Sequence, residues 1–287
     1  MPKTRCREGV KLKTIDPMSI VQSYIMPTRI GSSNTFSDSI EISACEDLIR
    51  RKRAEGLKGI GMLHIFLAAY TRMLSQRPGI NRFIRGQKTY KRNRIEICLT
   101  VKKDFQLDAQ ETVVKLITAP DDTLDGIYEK LTVLLEDNRT LGDQNGMDNI
   151  ARLLSHIPGV LLKFAVWLLR TGDYFGLLPR GLTEASPFHA SMFITNMGSL
   201  GIPPIYHHLY DFGNVPVFLA IGAKRKAYTN QKDGSVKEEK LLDFTVVCDE
   251  RICDGHYYAS AFKYLKTLFK NPELLEQPPE QVLRDID

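Results

Sequence analysis

The feature of this sequence that most constrains its fold is a junction near the C-terminal end, where an apolar segment is followed by a cluster of charged residues. Residues 241–247 have the apolar composition of a buried strand, and residues 257–269 have the pattern of a helix. Between them lies C-D-E-R-I-C-D-G, where the four ionisable side chains fall within six positions. A loop after a strand is a common place for functional groups, so the junction predicts a site where a reactive group is presented.

The remaining segments alternate between strand and helix patterns. Residues 62–74 are apolar on most sides, which indicates a buried helix that ends before Pro78 and Gly79. No repeat appears, and neither G-x-G-x-x-G nor G-K-[ST] is present, so a nucleotide-binding fold is disfavoured. The order of elements predicts a mixed α/β domain. The other predicted strands cover residues 35–42, 95–102, 111–117, 190–196 and 217–221, and the other helices cover residues 45–54 and 122–137.

Composition narrows the class of protein. The chain has 287 residues, of which 43% are hydrophobic, and a net charge of +5, which suits one large globular domain. Its basic residues form short clusters without interleaved aromatic side chains, so nucleic acid is a poor candidate partner. Five cysteines without C-x-x-C spacing argue against a disulfide framework or a metal site, and they favour the reducing cytoplasm. We expect neither a secretory signal nor a membrane span.

Four motifs together resemble one known family. D-E-R-I-C-D-G at residues 249–255 is similar to the D-H-R-x-x-D-G signature of the catalytic domains of 2-oxo acid dehydrogenase dihydrolipoyl acyltransferases, which share a fold with chloramphenicol acetyltransferase. F-I-T-N-M-G at residues 193–198, V-F-L-A-I-G at 217–222 and R-P-G-I-N-R-F-I at 77–84 resemble further segments of that family. The resemblance implies an α/β two-layer sandwich of the chloramphenicol acetyltransferase type, with helices packed on a mixed sheet. It also implies active sites between the subunits of a homotrimer, or of a larger assembly of trimers.

The resemblance further implies a reaction and its site residues. In that family a thiol of coenzyme A or of a lipoyl group attacks an acyl carbonyl. A histidine removes the thiol proton, and a hydroxyl on the facing subunit stabilises the oxyanion. By position, Thr195 takes the hydroxyl role, Glu250 replaces the histidine, and Arg251 and Asp254 take supporting ion-pair and ordering roles. Gly255 permits a tight turn into the helix. The contacts with coenzyme A fall on Asn196, Gly198 and Ser199.

The identity of the base is open. An ordinary glutamate has a pKa near ~4.3 and a thiol about 8.5, so a glutamate is a mismatched base unless desolvation raises its pKa. Alternatively, Glu250 pairs with an arginine or lysine and only holds the strand end together. His256, alone or beside Cys253, is a displaced candidate. His207 is another, in a stretch that resembles a loop near the family's acyl site. Because adjacent residues on extended chain face opposite sides, only one of His207 and His208 is expected to reach that site.

Two regions lie outside the resemblance. Residues 1–19 are predicted to form a basic arm that stays loose or docks on a neighbour, ahead of an acyltransferase-like domain at residues 20–287. Residues from about 145 to 180 are predicted to form an apolar helical insertion, broken near Pro158 and Gly159. Simple packing against the domain or a neighbouring subunit is the favoured interpretation of residues 149–178, and the alternatives are an acyl tunnel, a membrane surface or a cover over the trimer interface.

Two functions are therefore predicted. The first is a coenzyme A-dependent acyltransferase that moves an acyl group between coenzyme A, or another small-molecule acyl donor, and a thiol or other acceptor. The second is a catalytically degenerate homo-oligomeric scaffold, or an acyl- or coenzyme A-binding protein, without the family's histidine. Thr195, Arg251, Asp254 and Gly255 favour the first, whereas Glu250 favours the second. No lipoyl domain is expected, because the core uses almost all of the residues.

Overall fold

A computed structural model describes Cys6 and residues 8–102, 111–140, 155–231 and 233–287. Within these residues the strands are β1 (Gly9–Lys11), β2 (Ser33–Glu41), β3 (Arg82–Arg85), β4 (Lys88–Arg92), β5 (Ile95–Lys102), β6 (Glu111–Thr118), β7 (Met192–Asn196), β8 (Val217–Asn230) and β9 (Val236–Asp249). The α-helices are α1 (Pro17–Ile25), α2 (Ser43–Ala54), α3 (Met62–Gln76), α4 (Leu124–Thr140), α5 (Gly159–Tyr174), α6 (Arg180–Ala185) and α7 (Gly255–Lys270). Short 3₁₀ turns cover Ile30–Ser32, Pro78–Asn81, Met197–Leu200 and Pro272–Leu275.

Six strands form the central sheet, in the order β2-β9-β8-β7-β5-β6. β7 runs parallel to both of its neighbours, β8 and β5, whereas the other adjacent strands are antiparallel. In this register Thr195 of β7 lies opposite Ala220 of β8, which in turn lies opposite Thr245 of β9. A separate sheet contains three strands in the order β1-β4-β3.

The strands divide their side chains between two hydrophobic clusters, because successive residues of a strand point to opposite faces of the sheet. On β8, Val217, Leu219 and Ile221 face the main core, whereas Phe218 belongs to a smaller cluster on the other face. Apolar residues of α2, α3, α4 and α7 complete the main core. The chain between β7 and β8 contributes Leu209 to the smaller cluster. A layer of helices on a mixed sheet confirms the predicted α/β sandwich.

Most predicted elements are present with shifted ends. The buried helix predicted at residues 62–74 is α3, and the strand predicted at residues 95–102 is β5. β8 and β9 extend well beyond the predicted residues 217–221 and 241–247 and form a two-stranded ribbon. The outer part of this ribbon is mostly exposed, so it lacks the apolar pattern from which a strand is predicted.

The N-terminal region differs from the predicted arm. Residues 9–11 form β1, which pairs with β4 of the same chain, and α1 crosses the boundary expected at residue 19. Asp16 caps α1 by accepting a hydrogen bond from the Ser19 amide, and Pro17 occupies the first helical position. A three-residue strand is too short to show periodicity, which explains why composition indicates only an arm.

The hairpin of β3 and β4 is also absent from the sequence prediction. Its two connecting residues, Gly86 and Gln87, both have positive φ angles, of 54° and 57°. This is the backbone conformation of the tight turns that join antiparallel strands. The dipeptides that usually predict such a turn are Asn-Gly and Asp-Gly. Gly-Gln is only a weak indication of a turn, so the hairpin was not predicted.

The apolar insertion contains the helix α5, which begins at Gly159 directly after Pro158. This start confirms the predicted break near Pro158, because proline is compatible with a helix start and not with its interior. Of the helical piece predicted before the break, residues 149–154 lie outside the described residues. In the part of the chain that the structure describes, no helix is long and apolar enough to cross a membrane.

Candidate active site

The charged junction at the end of β9 is held by a buried ion pair. Arg251 donates through Nε to Asp249 Oδ1 at 2.8 Å and through Nη2 to Asp249 Oδ2 at 2.7 Å. Both side chains are almost fully buried, and the Ser32 hydroxyl donates to the same carboxylate at 3.3 Å. Arg251 Nη1 also donates to the Met26 carbonyl at 3.0 Å. The pair therefore ties the loop at residues 249–255 to the chain that follows α1.

Asp254 has a different task from Arg251. Its carboxylate accepts a hydrogen bond from the Tyr257 amide at 2.7 Å and caps α7, a contact that stabilises a helix by about 1 kcal/mol. The ion-pair partner of Arg251 is thus Asp249, a residue that the motif comparison left without a role. The D-x-R spacing is the signal that points to it, because it places a carboxylate and a guanidinium two residues apart.

Glu250 lies between the two members of the buried pair and is half-exposed. Its amide donates to the Ser32 carbonyl at 2.9 Å, which fixes its backbone. Its carboxylate Oε1 lies 3.5 Å from Gln22 Nε2, at the outer limit of a hydrogen bond. Within the described residues Glu250 forms no ion pair, so the structure does not provide the arginine or lysine partner that a structural role would use.

The other candidates near the motif have little support. His256 is exposed in the first turn of α7. Burial raises the pKa of the Cys253 thiol to about 12. Such a thiol is protonated at neutral pH, so Cys253 is unsuited to nucleophilic attack. No group of three or more histidine, cysteine or acidic residues in the described ranges is placed to hold a metal ion.

Thr195 lies near the end of β7 and is half-exposed. Because side chains alternate along a strand, it shares the sheet face of Phe193, which belongs to the smaller hydrophobic cluster. Its hydroxyl makes no hydrogen bond within the described part of the chain, although its backbone is held by pairing with β8. A positioned hydroxyl without a partner is able to donate to an oxyanion.

The three residues predicted to contact coenzyme A lie in one turn directly after Thr195. Gly198 is packed so closely that a Cβ atom would lie 2.5 Å from the Gly222 carbonyl oxygen, so no side chain fits there. The Ser199 hydroxyl donates to the Asn196 carbonyl at 2.8 Å. The side-chain amide of Asn196 has no hydrogen-bond partner among the described residues, which leaves it available to a ligand.

His207 lies on the same sheet face as Thr195. Its ring stacks on Phe218 with the centroids 3.6 Å apart and the planes at 5°. Burial lowers the pKa of His207, with partial opposition from its hydrogen bond to the His208 carbonyl, so the imidazole is neutral at neutral pH. The prediction that His207 and His208 face opposite sides is wrong. Their rings stack with the centroids 4.8 Å apart, in a segment that belongs to no strand.

Within one chain the candidate residues form two separate groups. Thr195 is level with Thr245 of β9, two strands away, and Glu250 follows Asp249, which lies four residues further along β9. Four residues of strand span about 13 Å and two strand spacings about 10 Å. Thr195 and Asp249 therefore lie roughly 16 Å apart, and Glu250 lies one residue beyond Asp249. This separation is too large for Thr195 and Glu250 to act on one carbonyl within the same chain.

The fold is that of the chloramphenicol acetyltransferase-like acyltransferases. A chloramphenicol acetyltransferase structure has a TM-score of 0.51 and 12% identity, over 90% of this chain and 99% of that chain. A probable dihydrolipoamide acetyltransferase from Listeria monocytogenes has a TM-score of 0.57 and 13% identity, over 92% and 95%. The cubic core of a pyruvate dehydrogenase multienzyme complex has a TM-score of 0.58 and 14% identity, over 90% and 88%.

The sequence comparison is consistent with this fold and more specific in one region. Residues 182–276 match the family of 2-oxoacid dehydrogenases acyltransferase (catalytic domain), so the resemblance drawn from the motifs is confirmed there. The match includes both Thr195 and Glu250. A comparison with curated proteins finds no match.

Proposed function

We propose that this protein transfers an acyl group to or from coenzyme A at a site shared by two copies of the chain, in a homotrimer or a larger assembly of trimers. The observation that carries the proposal is the sheet register, which separates Thr195 and Glu250, while neither has a strong side-chain partner among the described residues of its own chain. A second copy is then needed to bring the two groups together. A small-molecule acyl donor is the proposed substrate, and the cytoplasm is the proposed compartment.

The proposed reaction begins with loss of the thiol proton to a base. The sulfur then bonds to the acyl carbonyl carbon, and the carbonyl oxygen becomes an oxyanion that accepts a hydrogen bond from the Thr195 hydroxyl. Collapse of this intermediate restores the carbonyl, breaks the bond to the leaving group and returns a proton to that group. Asn196 is the proposed contact for the coenzyme A portion, because it ends β7 at the start of the following turn and its side-chain amide has no hydrogen-bond partner among the described residues.

Two residues compete for the role of base. An ordinary glutamate lies about 4 pKa units below a thiol, so proton transfer to it is uphill by about 6 kcal/mol, against about 3 kcal/mol for histidine. By the motif resemblance Glu250 takes the position of the family's histidine, but this cost predicts slow turnover. His207 is the alternative, because its neutral imidazole shares the sheet face of Thr195.

A catalytically degenerate scaffold, or an acyl- or coenzyme A-binding protein, is the second candidate function. The observation that favours it is Glu250 itself, since the exchange of histidine for glutamate removes the better-matched base. The Asp249–Arg251 ion pair that holds the loop is present, so the loop would keep its structure in a protein that had lost acyltransferase activity.

An assay of coenzyme A release distinguishes these functions. Each of a panel of acyl-CoAs is mixed with a small dithiol acceptor, and free coenzyme A is measured by chromatography, because transfer between two thiols leaves the total number of free thiols unchanged. We expect release by the natural protein, a loss of at least about tenfold in Thr195→Val, because one oxyanion donor is removed, and a similar loss in Glu250→Gln. Glu280→Gln makes the same chemical change at an exposed position and serves as the control.

The remaining variants assign the base. Activity that persists in Glu250→Gln and disappears in His207→Phe would place the base at His207. No release by the natural protein, together with a gain in Glu250→His, would contradict the enzyme and support the scaffold. Release that is unchanged in every site variant would contradict the proposed site as a whole.

A further inference from the structure

Helix α5 is attached to the rest of the protein mainly at its C-terminal end. Asp173 is the buried residue of this helix, and its carboxylate lies 3.2 Å from His189 Nε2 and 3.3 Å from Arg85 Nη2. The neighbouring Tyr174 hydroxyl donates to Gln87 Oε1 at 2.8 Å, on the hairpin of β3 and β4. The preceding turns of α5 carry large apolar side chains that stay largely exposed. The helix therefore stands as an apolar wall beside the domain.

A cavity of about 890 Å³ lies between this wall and the domain. Leu162, Val166 and Trp167 line it from α5, and Ile84 and Phe212 line it from the opposite side. Sites that hold small organic ligands commonly have volumes of roughly 300–1,000 Å³ and mostly apolar walls with a few polar groups. This cavity has the size and the walls of such a site, and it is separate from the groups around Thr195.

Arg29 lines the cavity and is only 6% exposed. Its Nη1 donates to the Val215 carbonyl at 2.6 Å, but Arg29 forms no ion pair within the described residues, and its Nε and Nη2 make no hydrogen bond there. Burial lowers its pKa to about 10, so the guanidinium is still charged at neutral pH. The carboxylates of Asp249 and Asp173 partly offset this charge, and the donors of Arg29 that make no hydrogen bond are suited to an anion in the cavity.

Two more cations lie at the cavity on α5. Lys163 and Arg170 are seven residues apart, which places them on one face of the helix, and neither has an ion-pair partner among the described residues. The lining carboxylate of Asp173 is already engaged, and the other acidic lining residue, Asp211, is exposed. The unpaired charge around the cavity is therefore mainly positive.

We propose that this cavity binds an acyl chain that ends in an anionic group. The chain packs against Leu162, Val166 and Trp167, and the anion meets Arg29, with Lys163 and Arg170 at the rim. The cavity borders the loop at residues 249–255 through Arg251 but does not include Thr195, and ligand binding there can be measured without any acyl transfer. The same chemistry is presented by a free fatty carboxylate and by an acyl chain on coenzyme A.

Trp167 is the single tryptophan of the chain and lines the cavity, so its fluorescence reports occupancy directly. The purified full chain is titrated with dodecanoate, with lauroyl-CoA and with dodecan-1-ol, which has the same chain length without a charge. We expect at least one anionic probe to bind about tenfold or more tightly than the alcohol. Binding of dodecanoate identifies a free carboxylate ligand, and binding of lauroyl-CoA alone identifies a carried acyl chain.

A matched pair of variants tests the location on α5. Val166→Glu places a negative charge on the cavity side, whereas Leu168→Glu makes a closely similar change on an exposed face that does not line the cavity. We expect Val166→Glu to abolish binding of the anionic probe and Leu168→Glu to preserve it. Equal effects of the two variants would overturn the proposal, because the probe would then bind only to the exposed apolar surface of the helix.

The role of the buried cation has its own variants. We expect Arg29→Met to weaken binding of the anionic probe by at least about tenfold. If Arg29→Met does not fold, Arg170→Gln at the exposed rim is expected to weaken it about threefold. Lys270→Gln, at an exposed position in the last turn of α7, is the control and should bind like the natural protein. Failure of both anionic probes to bind, or equally tight binding of dodecan-1-ol, would overturn the proposal.

Discussion

The loop at residues 249–255 and helix α5 are both held by a buried carboxylate, but they differ in how much of the segment is held. In the loop, Asp249 and Arg251 pair with each other, and Glu250 between them is fixed through its backbone amide. In α5, the contacts gather at Asp173 near the C-terminal end, and the earlier turns are largely exposed. A loop that is fixed along its length can position a group for chemistry. A helix that is attached at one end and exposes apolar side chains can line a site for an apolar ligand.

The largest effect on stability is expected for a substitution that removes the ion pair in the loop at residues 249–255. Arg251→Met leaves the Asp249 carboxylate buried without its partner, so we expect the free energy of unfolding to fall by about 3–5 kcal/mol. Glu250→Gln, at the next position, makes no ion pair to lose and should change it by less than about 0.5 kcal/mol. Urea unfolding of the two variants and the natural protein measures both values. Similar stabilities of the two variants would show that the buried pair does not hold the loop.

A smaller effect is expected at the attachment of α5, and it depends on pH. Arg85 pairs with Asp173 of α5 and also with Glu8 of the N-terminal segment, so Glu8 supports the attachment through Arg85. Burial raises the pKa of Glu8, but the nearby Arg85 and Arg92 outweigh it and hold the pKa below its ordinary value of 4.5. For Asp173, burial is likewise outweighed by His189 and Arg85, and the pKa is lowered. Because a lowered pKa stabilises the folded state above the ordinary value, this stability should be lost as the pH falls below about 4.5 and through the folded pKa values.

Glu8→Gln tests this attachment. We expect this substitution to lower the free energy of unfolding by about 1–3 kcal/mol at neutral pH. We also expect that free energy to change less as the pH falls. Glu184→Gln removes a carboxylate from the exposed pair with Arg180 and is the matched control, with little expected effect. In the natural protein, the fluorescence anisotropy of Trp167 on α5 should fall at a higher pH than the circular dichroism of the whole domain. Coincident loss of both signals would contradict the view that α5 is held separately.

Features that have a local sequence pattern could be predicted from the sequence, whereas features that depend on residues far apart in the chain could not. The strand at residues 95–102 and the helix at residues 62–74 follow from apolar patterns, because burial on one or all faces leaves a periodic signal. The D-E-R-I-C-D-G motif likewise predicted where Glu250 is displayed. The motif comparison gave no role to Asp249, because Asp249 and Asp254 both lie near Arg251 along the chain and only their geometry distinguishes an ion pair from a helix cap.

Features that depend on residues far apart in the chain have no local sequence pattern from which they could be predicted. Arg29 bonds the carbonyl of Val215, which lies 186 residues away, so neither residue shows in its own surroundings that Arg29 borders a cavity. The separation of Thr195 from Glu250 is similarly a result of strand order, because the motifs alone do not reveal at which end of the sheet each lies. Local patterns therefore predicted the elements and the motif, and tertiary packing determined how the site is divided.

The most direct test of the divided site is complementation between two inactive variants. Thr195→Val and Glu250→Gln chains are co-expressed with different tags, and the mixed assemblies are assayed for release of coenzyme A to a thiol acceptor. If the site joins Thr195 of one copy to Glu250 of another, half of the chains supply each intact group, so about a quarter of the interfaces are complete. We therefore predict about a quarter of the natural rate in the mixture. A mixture no more active than either variant alone would contradict a site shared between copies.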